Sequence, residues 1–226
     1  MADVVENLRV VRGEIEKAQR QRAFDEPVTL VAVTKNHGVE MMRQAIDAGV
    51  QHIGENRIQE AAEKFAALNR AVTKHLIGHL QTNKAKQAVQ LFDLIHSVDS
   101  EHLAAAIDKA ALSVGKVQDV LIQVNLAKED SKSGVYEENL QSTMEFVDAL
   151  QNLRLCGLML IAPNYSDVEN CRPLFHRMNE IFRAIQSTRE GFNFLSMGMT
   201  HDYKIAVEEG ANVVRVGTAI FGERIY

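Results

Sequence analysis

The spacing of hydrophobic positions changes near residue 27, from a helical period to a continuous apolar run. In residues 3–22 the apolar side chains recur every three to four positions, which is the spacing of one face of an α-helix. After Pro27, residues 28–34 are nearly all apolar and rich in β-branched side chains, a composition typical of a strand covered on both faces. The pattern therefore predicts an N-terminal helix followed by a buried strand.

Short apolar runs and amphipathic segments then alternate through the rest of the chain. The further predicted strands are residues 51–54, 75–78, 94–98, 117–125, 153–161, 194–197 and 212–216. The predicted helices between them are residues 39–48, 58–71, 83–91, 100–113, 136–150, 168–187 and 202–209. Gly49 and Gly210 follow two of these helices, where glycine readily takes the left-handed conformation that ends a helix.

This alternation predicts the class of the fold. Strand–helix units with short connections favour parallel strands joined by right-handed crossovers. Eight such units favour closure into a (β/α)8 TIM barrel with one extra helix in front. An open dinucleotide-binding sheet is disfavoured, because no Gly-x-Gly-x-x-Gly sequence follows the first strand. No linker interrupts the sequence, so we predict a single domain over residues 1–226.

Composition and charge exclude several classes of protein. The formal net charge of −5 predicts no basic surface for nucleic acid. No apolar run approaches the roughly 20 residues that span a bilayer, and Asp3 and Glu6 stand where a signal peptide carries positive charge. Two cysteines without a Cys-x-x-Cys spacing predict neither a disulfide framework nor a zinc site. We expect a cytoplasmic protein without membrane or nucleic-acid partners.

Polar side chains lie at the carboxyl ends of four predicted strands, where barrels of this type carry their chemistry. Residues two apart share a face of a strand, so we expect four side chains to converge at the barrel mouth: Lys35, Asn56, His79 and Arg215. Desolvation of Lys35 beside an apolar strand would favour its neutral amine, which attacks carbonyl carbons. The alternative is a lysine that extends past the strand into solvent. His75 and His79 have no evident third ligand, so we predict no metal site.

Two segments near the C-terminus contain small and hydroxylated residues that suit an anion. Residues 196–202 follow the seventh predicted strand and residues 215–219 follow the eighth. Phosphate sites in these barrels are frequently built from the loops after those two strands, where backbone N–H groups approach an anion closely. Each segment alone could be an ordinary glycine-containing turn, whereas the two together favour an anion site.

A set of short motifs occurs in a fixed order along nearly the whole chain. The motifs are Val31-Ala-Val-Thr-Lys35, Gly54-Glu-Asn56, His75-Leu-Ile-Gly-His-Leu-Gln-Thr-Asn-Lys84, Lys132-Ser-Gly134, Gly157-Leu-Met159, Ser196-Met-Gly-Met199 and Val214-Arg-Val-Gly-Thr-Ala-Ile-Phe-Gly222. The ordered set resembles the YggS/PROSC family of pyridoxal phosphate homeostasis proteins. The fold of that family resembles the N-terminal barrel of alanine racemase.

The resemblance implies how pyridoxal 5′-phosphate (PLP) is held. It implies that Lys35 forms the internal aldimine, that Arg215 faces the pyridine nitrogen and that Asn56 lies near the ring. It implies four phosphate contacts: Ser196, Thr200, Gly217 and Thr218. Position 200 is more often serine in such sequences, and threonine keeps the hydroxyl donor.

An arginine at the pyridine nitrogen has a chemical consequence. A guanidinium only donates hydrogen bonds, so the ring nitrogen would stay unprotonated and the cofactor would be a weakened electron sink. The chain ends at Tyr226, so the second domain of alanine racemase is expected to be absent and the mouth open to water. Such a site favours reversible carriage of PLP over controlled turnover.

We therefore predict a monomeric PLP-binding homeostasis protein without catalytic turnover, with PLP-dependent apo-enzymes as its protein partners. A first alternative is a PLP-dependent amino-acid racemase or lyase, which would turn over an amino acid steadily and lose that activity in Lys35→Ala. A second alternative is a Schiff-base aldolase without a cofactor. That protein would be colourless as purified and would trap a sugar phosphate on borohydride reduction.

Overall fold

Eight short segments form parallel strands that pair in sequence order and close on each other. The structure, a computed structural model, describes residues 3–129 and 132–223, so the chain end at Tyr226 lies outside the described residues. The strands are β1 (Thr29–Val33), β2 (His52–Glu55), β3 (Thr73–Leu76), β4 (Leu94–Val98), β5 (Gln118–Val124), β6 (Leu153–Leu160), β7 (Phe194–Met199) and β8 (Val213–Val216). Because β1 pairs with both β2 and β8, the barrel is closed, and the predicted (β/α)8 fold is confirmed.

Helices surround the barrel and connect its strands. They are α1 (Val4–Gln19), α2 (Val39–Asp47), α3 (Ile58–Leu68), α4 (Ala85–Leu91), α5 (Glu101–Ser113), α6 (Leu140–Asp148), α7 (Arg172–Gln186), α8 (Tyr203–Glu208) and α9 (Thr218–Phe221). Single 3₁₀ turns precede α4, α6 and α7, where continuous helices are predicted from the sequence. The short helix α9 is not predicted by the pattern.

Two predicted boundaries differ from the structure for identifiable reasons. Helix α3 ends at Leu68 because Asn69 adopts the left-handed conformation, with φ 47°, which asparagine tolerates better than most residues. Strand β3 begins at Thr73 because the partly buried residues 73 and 74 pair with β2 despite their polar character. Hydropathy does not report this pairing, since backbone groups make it.

The extra helix α1 packs against α2, α8 and α9. Asp3 caps its N-terminus by accepting a hydrogen bond from the Glu6 amide at 3.0 Å. Its buried face is the predicted apolar stripe of Val4, Leu8, Val11, Ile15 and Ala18. The side-chain amide of Asn7 donates to the Ile220 carbonyl at 2.9 Å, which fixes the helix against α9.

The buried apolar residues form two separate cores. The larger core fills the layer between the outer faces of the strands and the helices. The smaller core lies inside the barrel and contains Leu94, Leu121, Cys156 and Met159. Polar side chains occupy other inward positions of the strands, which is why the inner apolar core is small.

The two cysteines are buried free thiols. Burial raises the pKa of Cys156, and burial together with Asp202 raises the pKa of Cys171 to about 11. Both sulfur atoms are therefore held as thiols at neutral pH. Within residues 3–129 and 132–223, none of the helices is both long enough and apolar enough to cross a membrane.

Candidate functional site

A cavity of about 230 Å³ lies at the carboxyl ends of β1, β2, β7 and β8. Six of the seven residues predicted to contact a cofactor line this cavity: Lys35, Asn56, Thr200, Arg215, Gly217 and Thr218. Residues separated by up to 183 positions in sequence are thus brought to one end of the barrel, the end where (β/α)8 barrels carry their chemistry.

Lys35 follows β1 directly, and the chain turns sharply after it. The backbone N–H of Thr34 donates to the Gly54 carbonyl at 3.0 Å and so continues the pairing with β2. Asn36 then adopts the left-handed conformation with φ 63°, and the His37 amide donates to the Thr34 carbonyl at 3.1 Å. This turn leaves the Lys35 side chain half-buried on the cavity wall.

A buried ion pair anchors the residues next to Lys35 and Asn56. The Glu55 carboxylate is fully buried and accepts hydrogen bonds from Thr34 Oγ1 at 2.6 Å and from Lys64 Nζ at 2.9 Å. Lys64 Nζ also donates to the Thr34 carbonyl at 2.8 Å. Burial raises the pKa of Glu55, although the hydrogen bonds from Thr34 and Lys64 act in the opposite direction. The network fixes the ends of β1 and β2 relative to α3.

Arg215 lies at the third position of β8 and is buried in the cavity floor. Its Nη1 donates to Ser196 Oγ at 2.5 Å, and its Nη2 donates to the Leu160 carbonyl at 2.9 Å. Burial lowers the pKa of Arg215 to about 10, and the nearby Asp202 carboxylate opposes this shift. The guanidinium therefore remains positively charged at neutral pH, with its plane fixed by two acceptors from other strands.

Ser196 lies beneath Arg215 rather than on the cavity wall. Its side chain is fully buried, and its hydroxyl contacts His96 Nδ1 at 2.9 Å as well as Arg215. A phosphate contact from Ser196 stays a prediction. The direct role that the geometry gives this residue is to accept a hydrogen bond from Arg215.

The loops after β7 and β8 meet at the cavity. The Gly217 amide donates to Thr200 Oγ1 at 3.2 Å, which leaves the hydroxyl proton of Thr200 for another acceptor. A Cβ atom at Gly217 would lie 3.3 Å from both Cβ and the carbonyl oxygen of Val33. Glycine therefore lets β1 and the loop after β8 approach closely, in the arrangement predicted for an anion site.

Asn56 carries an acceptor that the described residues leave without a partner. Its Oδ1 is buried, and no hydrogen-bond donor for it occurs within residues 3–129 and 132–223. A buried polar atom left in this way costs about 1–3 kcal/mol. Because Asn56 lines the cavity, a donor on a bound ligand would satisfy this oxygen.

His79 lies at the same end of the barrel, beside residues that follow β4 and β5, but it does not line the cavity with the other three residues. Strand β3 ends at Leu76, and the two-residue alternation does not extend to position 79. The side chain of His79 is 55% exposed, and its Nδ1 lies 3.1 Å from both Asp99 Oδ2 and Ser133 Oγ. In the described part of the chain, no cluster of three or more His, Cys, Asp or Glu side chains is suited to a metal ion.

Three histidines form a hydrogen-bonded column through the barrel interior that the sequence does not predict. His52 Nδ1 lies 3.0 Å from His75 Nε2, and His75 Nδ1 lies 2.8 Å from His96 Nε2. We call His52, His75 and His96 the histidine column. Burial lowers the pKa of all three, to about 3 for His75 and well below the usual value for His96, whose pKa is also lowered by His75 and Arg215. Strand alternation predicts that His52 and His75 share the inward face, but the bonds between strands require the closed barrel.

Because the pKa values of the histidine column are lowered, we expect the free energy of unfolding to decrease as the pH falls. Below a pH of about 6.5 the unfolded chain protonates each histidine, whereas folded His75 stays neutral down to a pH of about 3. The free energy of unfolding is therefore expected to fall by about 1.4 kcal/mol per pH unit for each such histidine. Urea unfolding between pH 7 and pH 5 measures the slope, which should be smaller in His75→Gln by that amount.

The matched control for this measurement is His102→Gln, because His102 is exposed. Its slope should equal that of the unchanged protein. Equal slopes in His75→Gln and the unchanged protein would contradict a neutral His75 in the folded state.

The comparison with protein families agrees with the closed barrel, the lysine after β1 and the buried arginine of β8. Residues 10–225 match the family model of the alanine racemase N-terminal domain. A pyridoxal phosphate homeostasis protein of Aquifex aeolicus is 40% identical over 224 residues, which cover 98% of this chain and 98% of that protein. The chain therefore belongs to the pyridoxal phosphate homeostasis proteins within the alanine racemase N-terminal domain family.

Solved structures agree with this assignment. Structures of PipY from Synechococcus elongatus PCC7942, with PLP bound and without it, give TM-scores of 0.86 and 0.88 at 37% identity. Each match covers 97% of this chain and 100% of PipY. Alanine racemase of Clostridium difficile 630 gives a TM-score of 0.70 at 16% identity, covering 98% of this chain and 59% of the enzyme, a likeness of the fold alone.

Proposed function

We propose that this protein binds PLP in the cavity at the carboxyl end of the barrel and acts in PLP homeostasis. The observation that carries the proposal is that an amine, a buried guanidinium and two loops of small and hydroxylated residues line one cavity. These groups match the aldehyde, the pyridine nitrogen and the phosphate of one molecule. PipY, which is 37% identical, has been solved with PLP bound, and this supports the proposal.

The residues present fit this cofactor. Thr200, Gly217 and Thr218 would hold the phosphate, and the meeting of their two loops supports this assignment. The buried Asn56 Oδ1 needs a donor, which a cofactor carrying a hydroxyl group would provide. PLP supplies an aldehyde, with which the amine of Lys35 would condense to a covalent C=N link with loss of water.

Arg215 would hold the pyridine nitrogen as an acceptor. Two of the five N–H groups of its guanidinium donate to Ser196 and Leu160, and the remaining donors allow a bond to a ligand. A guanidinium with a pKa of about 10 keeps its protons at neutral pH, so it donates to the ring nitrogen and gives it no proton. This chemistry withholds the electron sink that transamination requires.

We propose that the role is carriage without turnover. The relatives are named as homeostasis proteins, which supports this. A PLP-dependent racemase or lyase is the second candidate, because His37 and His201 also line the cavity and imidazoles can serve as bases. We further propose a cytoplasmic monomer that passes PLP to apo-enzymes.

The test is a visible spectrum of the purified protein with PLP, before and after borohydride reduction. We expect an absorption band that bleaches on reduction and leaves a pyridoxyl group on the peptide that contains Lys35. Incubation with each common amino acid should give no steady turnover, and sustained turnover would favour the second candidate. A protein that gains no band with PLP would contradict the proposal and favour the aldolase.

Transfer and oligomeric state need separate measurements. Mixing the loaded protein with an apo-enzyme that requires PLP should restore that enzyme's activity faster than spontaneous release of the cofactor allows. Size-exclusion chromatography with light scattering should give the mass of one chain, 25.2 kDa. Restoration no faster than release would contradict delivery, and twice that mass would contradict the monomer.

A further inference from the structure

The histidine column joins the floor of the cofactor cavity to the opposite end of the barrel. His96 Nδ1 contacts the Ser196 hydroxyl, which in turn contacts Arg215. At the other end, His52 opens β2 and borders a second cavity of about 400 Å³ on the amino-terminal face. Cofactor binding alone does not explain why a barrel interior should hold this continuous chain of polar groups.

The positive charge of Arg215 gives the chain of hydrogen bonds its direction. A guanidinium only donates, so Ser196 Oγ accepts from Arg215 Nη1. The serine proton can then be donated to His96 Nδ1, 2.9 Å away. With Nδ1 of His96 an acceptor, its Nε2 carries the proton and donates to His75 Nδ1 at 2.8 Å.

The same logic continues to the end of the column. His75 Nε2 carries the proton and donates to His52 Nδ1 at 3.0 Å, and His52 Nε2 carries the last proton toward the amino-terminal face. All three imidazoles are then neutral Nε2–H tautomers, and every bond has one donor and one acceptor. Their low pKa values agree with this neutral state.

The opposite direction is unfavourable. If His96 Nδ1 carried the proton, Ser196 would face two donors, Arg215 and His96, and its own buried proton would have no acceptor within the described residues. An unsatisfied buried donor is destabilising. The tautomers are therefore coupled to Arg215 over four successive hydrogen bonds.

We propose that the histidine column positions Arg215: it fixes the Ser196 hydroxyl as an acceptor, and so holds the guanidinium in the orientation that meets the pyridine nitrogen of PLP. His96 is the central positioning residue, because it contacts Ser196 directly. The PLP part of this inference rests on the proposed function, whereas the direction of the bonds does not.

The first arm of the test needs no cofactor. In protein labelled with ¹⁵N-histidine, NMR should show three imidazoles as neutral Nε2–H tautomers, with Nδ1 unprotonated. His96→Leu removes the acceptor of the serine proton, and the Nε–H resonance of Arg215 should shift and exchange faster with water. Nδ1–H tautomers, or an Arg215 resonance unchanged in His96→Leu, would overturn the proposal.

The second arm measures PLP binding. His96→Leu should raise the Kd for PLP about tenfold, the effect of one hydrogen bond to a charged group, and shift the absorption band of the bound cofactor. His96→Asn, whose amide oxygen can replace Nδ1 as the acceptor, should restore most of the affinity and the band. Failure of this rescue, with both variants folded, would overturn the proposal.

Gln118→Leu is the matched control, because it also removes a buried polar side chain of a barrel strand. Its Nε2 donates to the carbonyls of Asp93 and Asp119, remote from Arg215. Gln118→Leu should lower stability without changing the Kd or the spectrum. If His96→Leu and Gln118→Leu changed the Kd for PLP equally, the histidine column would have only a structural role. If the unchanged protein bound no PLP, the proposed function would fail, and the NMR arm alone would decide whether the column positions Arg215.

Discussion

Lys35→Ala is expected to abolish the covalent attachment of PLP and its absorption band. Lys35 is the one lysine among the described residues that line the cavity, and alanine has no amine to condense with the aldehyde. The side chain is half-buried at the mouth, so its removal should change the free energy of unfolding by no more than about 1 kcal/mol. Absorbance spectra and mass spectra after borohydride reduction measure the first effect, and urea unfolding measures the second.

Two further variants make this prediction specific. Lys35→Arg keeps the charge without a nucleophilic amine and should also lose the band. Lys204→Ala removes an exposed lysine of α8 and should bind PLP as the unchanged protein does. An unchanged band in Lys35→Ala would mean that the covalent anchor lies elsewhere.

Arg215→Ala is expected to weaken PLP binding by about 10- to 100-fold and to alter the spectrum of the bound cofactor. The substitution removes the donor proposed for the pyridine nitrogen. It also removes two buried hydrogen bonds, to Ser196 and to the Leu160 carbonyl, which should lower the free energy of unfolding by about 2–4 kcal/mol. PLP titrations and urea unfolding measure the two effects.

Arg215→Lys separates charge from geometry. A lysine keeps the positive charge but cannot reproduce the planar fork that reaches two acceptors at once. The Kd of Arg215→Lys for PLP should therefore lie between that of the unchanged protein and that of Arg215→Ala. Arg154→Ala removes an exposed arginine that pairs with Asp119 and should leave the Kd unchanged. Wild-type affinity and spectrum in Arg215→Ala would contradict the pyridine-nitrogen assignment.

The sequence predicts the fold well where hydrophobicity decides the structure. Strand β4 occupies the predicted residues 94–98, because all five of its side chains are buried and Leu94, Ile95 and Val98 are apolar. The sequence predicts the ends of elements less well where backbone hydrogen bonds or local conformation set them, as at Thr73 in β3 and Asn69 after α3. Helix α9 has only four residues, too few for a hydrophobic period to emerge.

The candidate site shows the same division. Strand alternation correctly brings Lys35, Asn56 and Arg215 to one cavity. The same rule fails for His79, because β3 ends before that residue. The buried position of Ser196 and the contacts of the histidine column depend on how far neighbouring strands are staggered in the closed barrel, which no local pattern in the sequence encodes.

The cavity lies across the seam where the first and last strands join. Lys35 follows β1, whereas Arg215, Gly217 and Thr218 belong to β8 and its loop, and Val31 pairs with Arg215 directly. A fragment without β1 or without β8 lacks one half of the site. A ligand held there would stabilise the closed barrel against separation of this seam, in proportion to the logarithm of its free concentration over its Kd. Occupancy of the cavity would thus report that β1 and β8 are paired in the folded chain.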